Sequence, residues 1–146
     1  MESNYDFFSN APITFGLCSK SSCPSANDCL RGLAFRDLND SREKVMSANP
    51  LMTDAGGAAV CSLYRPAEPV RVAYGFSNAL DSVPKGNVRD VREAICQFVC
   101  QRNYYHLLRG EKPMLPDMQR TIAEILQHFG ASAPIEFDRY KNQYDW

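Results

Sequence analysis

No run in this sequence approaches the roughly 20 consecutive apolar residues of a membrane-crossing helix. The opening MESNYDFFSNAPITF also lacks the basic stretch and apolar core of a secretory leader. Both absences point to a cytoplasmic protein with no membrane partner. Net charge is nearly absent too. At −1 near pH 7, it removes any global electrostatic attraction for nucleic acid or anionic lipid and leaves only local patches to do such work. Internal repeats and low-complexity tracts are missing. So are a glycine-rich phosphate cradle and a paired-carboxylate spacing, so the reading leans away from an enzyme and singles out no catalytic residue. Histidine is scarce, and His106 and His128 lie in no chelating motif.

What is present is the composition of a folded domain. A chain of 146 residues with 45% hydrophobic and 11% aromatic side chains is long enough for a real core and fits a single domain spanning 1–146. Its N-terminal third is rich in Ser, Asn, Pro and Gly and poor in periodicity, which reads as loop. One helix is expected from about Asn27, with Leu30, Leu33, Ala34 and Leu38 on one stripe and Gly32 weakening it. Residues 48–57 (ANPLMTDAGG) read as turns. AVCSLY (59–64) and VRVAYGF (70–76) then read as the two strands of an antiparallel hairpin joined by the proline-rich RPAEP.

From Asn87, placed as a helix N-cap, Val88, Val91, Ile95, Phe98 and Val99 recur at helical spacing to about Arg102. A second short helix over 104–109 ends at Gly110. A third, opened by Pro116, carries Met118, Ile122, Ile125, Leu126 and Phe129 to a stop at Gly130. Phe137, Tyr140, Tyr144 and Trp146 close the chain at a spacing that suits a final helical turn or two, either docked on the body or exposed to a partner protein. The expected fold is therefore α+β. A loop-rich cysteine-containing part and a small antiparallel hairpin (1–80) precede a bundle of about three helices (87–130) and an aromatic tail (134–146).

Six cysteines in a reducing compartment are poorly explained as three disulfides, which leaves metal binding, redox chemistry and plain burial open. Cys18, Cys23 and Cys29 stand close together as C-x4-C-x5-C, and Cys61 can supply a fourth thiolate. Four thiolates at tetrahedral geometry make a closed structural zinc site. Such a site would tie the irregular N-terminal loop to the hairpin. The spacing is looser than the C-x2-C knuckle of common zinc modules, and the same sulfurs could instead hold an iron–sulfur cluster. Cys96 and Cys100 lie four apart on the best-defined helix, a spacing that can chelate a metal but reads more readily as the edge of its core. No Cys/His pair forms a nucleophilic motif.

Between Lys85 and Lys112 six basic residues face three acidic ones, so the segment is locally positive. Arg102, Asn103, Tyr105, His106 and Arg109 combine cations, an amide and aromatics, the groups that contact phosphates and base edges in DNA. The order of helices over 88–126 resembles a phage-repressor-type helix-turn-helix, with Ala94 as its small residue and Val99, Tyr104 and Leu107 at core positions. It departs at Phe98, where glycine is preferred, and at Glu93, where an apolar residue is usual. The alternative is a three-helix packing unit with a solvated basic face.

Across nearly its full length the chain resembles a family of small uncharacterised proteins from gut anaerobes of the Bacteroides type, a domain of unknown function. The stretches carrying the resemblance are FGLCSKSSCPSANDCLR, CSLYRP, VRVAYGF, RNYYHLLRGE and EFDRYKNQYDW. It implies that Cys18, Cys23, Cys29 and Cys61 belong to one shared pattern and that Cys96 and Cys100 do not. It implies no activity.

Overall fold

The computed structural model describes residues 5–49 and 61–146. The chain divides into two compact units, one comprising the sequence through Glu68 together with Tyr144–Trp146, the other Pro69–Gln143. Helices and a small two-stranded antiparallel sheet make the architecture mixed. No helix among the described residues is long and apolar enough to cross a membrane.

Among its described residues the first unit is built mainly of turns around two short helices, α1 (Phe7–Asn10) and α2 (Leu30–Arg36). Asp6 starts α1 by accepting a hydrogen bond from the Ser9 amide at 2.9 Å, one of the donors a helix start leaves without an intrahelical partner. Leu30, Leu33 and Ala34 of the anticipated stripe are buried, but Leu38 lies past the helix end and is 45% exposed. With so little regular structure, apolar burial does the holding: Phe8, Ala11, Phe15 and Leu17 pack with Leu30 and Ala34. The last residues join this cluster, Tyr144 lying 5.3 Å from Phe7 and Trp146 5.1 Å from Phe15 between ring centroids.

In the second unit the sheet pairs β1 (Val70–Tyr74) with β2 (Arg139–Gln143), Val70 opposite Gln143 and Tyr74 opposite Arg139. This corrects two expectations. Ala59 and Val60 of the first expected hairpin strand lie outside the described residues, as do Pro50–Gly57 of the expected turns. Cys61–Tyr64 forms a turn closed by the Tyr64 amide on the Cys61 carbonyl, 3.2 Å. The partner of β1 comes instead from the tail expected to be helical. Its aromatic spacing fits either period, and two cross-strand stacks favour the strand: Arg71 over Tyr140 at 3.9 Å and Arg139 over Tyr74 at 4.8 Å. On its other edge β1 exchanges two backbone hydrogen bonds between Ala73 and Met114, 3.0 and 2.8 Å.

Four α-helices and a 3-10 turn (Lys85–Asn87) complete this unit, the helices being α3 (Ser77–Asp81), α4 (Val88–Phe98), α5 (Gln101–Leu108) and α6 (Pro116–His128). Val91 and Ile95 of α4, Tyr104 and Leu107 of α5, and Ile122 and Leu126 of α6 form the core with Phe76 and Met114. Helix α4 ends four residues earlier than the pattern suggests because Val99 and Cys100 take extended conformations, ψ 147° and 156°. Asn87 precedes α4 but does not cap it with its side chain. Its side-chain Nδ2 donates instead to the Phe129 carbonyl at 2.9 Å, fastening the start of α4 to the end of α6. Gly110 and Gly130 terminate α5 and α6 at φ +71° and +95°, where a side chain would be strained.

Candidate thiolate metal site

Three short backbone contacts gather the N-terminal cysteines. The Cys18 amide donates to the Arg31 carbonyl at 3.1 Å, setting the segment at Leu17 and Cys18 against the first turn of α2. The Leu30 amide donates to the Arg65 carbonyl at 2.8 Å and the Ala67 amide to the Asp28 carbonyl at 2.9 Å, so residues 65–67 run beside Cys29. Successive turns fold Cys23 over the start of α2: the Ala26 amide bonds the Cys23 carbonyl and the Asp28 amide the Ser25 carbonyl, both at 3.1 Å. Gly32 makes this possible, since a Cβ there would fall 2.6 Å from the Ala26 carbonyl oxygen.

The result is a cavity of about 30 Å³ whose wall includes Cys18, Cys23, Cys29 and Cys61. A water needs about 10–15 Å³ by this measure, so the space suits one ion and little else. All six cysteines are free thiols. The four sulfurs surround the cavity without converging: among the described residues no three His, Cys, Asp or Glu side chains form a ready ligand group.

Sequence reasoning missed two other residues of this wall. Arg31 is half-buried and donates from Nε to the Leu63 carbonyl at 2.8 Å and from Nη1 to the Gly16 carbonyl at 2.7 Å, with its guanidinium 4.3 Å over the Phe15 ring. Burial, and secondarily the like charge of Arg65, lower its pKa, while the nearby Cys29, Cys18 and Cys61 act in the opposite direction. The tyrosine Tyr64 hydrogen-bonds the Asp28 carbonyl at 3.2 Å. Its pKa is raised first by desolvation, then by Asp28 and Cys29. The signal for Arg31 was a cation two residues after a cysteine.

The residues read as a DNA contact occupy α5 and the turn after it. Tyr104 and Leu107 are buried, while Arg102 and Arg109 are exposed. Arg109 is held by Glu111, Nε to Oε1 2.6 Å, and His106 Nδ1 pairs with the other carboxylate oxygen. These partners, Arg109 first, bring the Glu111 pKa down to about 2. Asn103 accepts from Lys112 Nζ at 2.7 Å, and Tyr105 lies 3.5 Å from Arg92 Nη1. Cys96 packs against the core of this unit and Cys100 is exposed at the α4–α5 joint. His128 stacks edge-on with Phe129 in the last turn of α6.

Residues 1–146 match the model of a family of unknown function, DUF6078, and the chain belongs to that family. No curated protein and no solved structure matches it.

Proposed function

We propose that this protein is a metal-stabilised domain that binds one zinc ion through the thiolates of Cys18, Cys23, Cys29 and Cys61. The observation carrying the reading is that four cysteines spread over more than 40 residues line one ion-sized cavity. A unit built largely of turns has little regular hydrogen bonding to hold it, and a structural zinc contributes folding free energy directly. These four thiolates would hold the ion, and it would supply the cross-link between their segments. The role needs reduced thiols, which a cytoplasmic compartment provides.

Titration with cobalt(II) tests this. A tetrahedral four-thiolate site gives intense visible and charge-transfer absorbance that saturates at one equivalent and that excess zinc bleaches. Serine at any one of the four positions weakens the bands, whereas serine at Cys96 or Cys100 leaves them intact. An iron–sulfur cluster on the same sulfurs is the second reading, and brown anaerobically purified protein would favour it.

DNA contact through Arg102, Asn103, Tyr105, His106 and Arg109 has the weaker support. The Glu111 carboxylate engages two of these five side chains, Arg109 and His106, and would repel a phosphate approaching them. The proposal therefore assigns the second unit no DNA contact. Fluorescence anisotropy with a mixed-sequence duplex at about 50 mM salt, where phosphate contacts are strongest, is expected to give no binding. Binding that Arg102→Ala abolishes would restore the DNA reading.

A further inference from the structure

Arg31 is a half-buried cation on the cysteine-lined wall, and among the described residues no carboxylate forms an ion pair with it. A half-buried cation whose hydrogen bonds go only to neutral carbonyls is stabilised further by a nearby anion. Here the neighbouring groups able to carry negative charge are thiols. Arg65 acts on Arg31 as a further like charge. The surroundings are thus built for an anionic occupant, and a zinc ion held by four thiolates is one, because its ligands outweigh its own charge.

The geometry adds a second argument. Gly16, whose carbonyl takes one guanidinium hydrogen bond, lies two residues before Cys18. Leu63, whose carbonyl takes the other, lies two residues after Cys61, and Arg31 itself lies two residues after Cys29. One side chain therefore ties together the backbone of three of the four cysteine-bearing segments. The planar guanidinium suits this better than an ammonium, since its fixed fork reaches two carbonyls at once. The Phe15 ring beneath it restricts it further.

We propose that Arg31 is the positioning residue and counter-charge of the thiolate site: it holds the Cys18, Cys29 and Cys61 segments at the cavity and offsets the negative charge of the metal–thiolate shell. The inference rests on the metal reading above. Groups outside the ligand set commonly change metal affinity by about 10- to 100-fold, and Arg31 belongs in that range.

Zinc affinity measured by competition with a chromogenic chelator tests it on the full chain and two variants. Arg31→Lys keeps the charge and loses the fork; Arg31→Gln keeps an amide donor and loses the charge. Arg31→Gln is expected to bind zinc about 10- to 100-fold more weakly than the parent, and Arg31→Lys to recover most of that loss. Circular dichroism of the zinc-loaded forms checks that the variants fold. Should Arg31→Gln fail to fold, Arg31→Lys at 1 M salt carries the test, and it is expected to lose affinity relative to low salt as its charge is screened. Equal affinity in all three chains would overturn the role of Arg31 while leaving the metal site standing. Equal losses in both variants would overturn the counter-charge. A parent chain that takes no zinc would overturn the metal reading itself.

Discussion

Glu111 is the most strongly perturbed acid described, and its neighbours explain why. Arg109 and His106 both stabilise its ionised form, so the folded-state pKa of about 2 lies below the ordinary 4.5. A depressed carboxylate contributes stability that is present above the unfolded pKa and lost as pH falls through the folded one, so the relevant window runs from about 4.5 down to about 2. The side chain is exposed and the effect is correspondingly small. A carboxyl carbon titration by NMR is expected to place the Glu111 midpoint near the lower limit, and Arg109→Ala to move it upward. Gly32 supplies a second test at this scale. Gly32→Ala would drive a methyl into the Ala26 carbonyl, at a cost of about 1–3 kcal/mol by analogy with overpacking, measurable by urea denaturation. From sequence, Gly32 looked like a flaw in a helix. The reason for it is the turn packed on that helix, which no local pattern reveals.

Among the elements, periodicity served α4 and α6 well because their buried residues recur locally, as Val91 with Ile95 and Ile122 with Leu126. It failed for strand pairing, where β1 passes over the nearby Cys61–Tyr64 segment and pairs with residues about 70 positions later. The turn at Cys61–Tyr64 already has other commitments, since the Leu63 carbonyl accepts from Arg31. A similar long-range connection caps α3. The Asp138 carboxylate accepts from the amides of Ser77 and Asn78, each at 2.9 Å, so the residue before β2 fixes the start of a helix some 60 residues earlier. Asp138→Ala is expected to cost about 1 kcal/mol, while Asp138→Asn retains much of the capping. Thermal unfolding of the two variants separates them.

Taken as a whole molecule, the chain has a helical unit with a continuous apolar core and a turn-built unit with a smaller one. The four N-terminal cysteines were legible as a group from spacing and from the family resemblance. Their place in the wall of one cavity was not, because it depends on backbone contacts such as Leu30 to Arg65. If zinc holds the turn-built unit together, its removal should act locally. Hydrogen exchange after chelation is expected to quicken across residues 16–31 and 61–67 and to leave α4 and α6 protected. The most direct test of the metal site is native mass spectrometry of untagged, anaerobically purified protein, alongside serine variants of all six cysteines. The account predicts one zinc per chain, lost or strongly reduced on changing Cys18, Cys23, Cys29 or Cys61 and kept on changing Cys96 or Cys100. A folded, reduced chain at its metal-free mass that takes up no added zinc would contradict it.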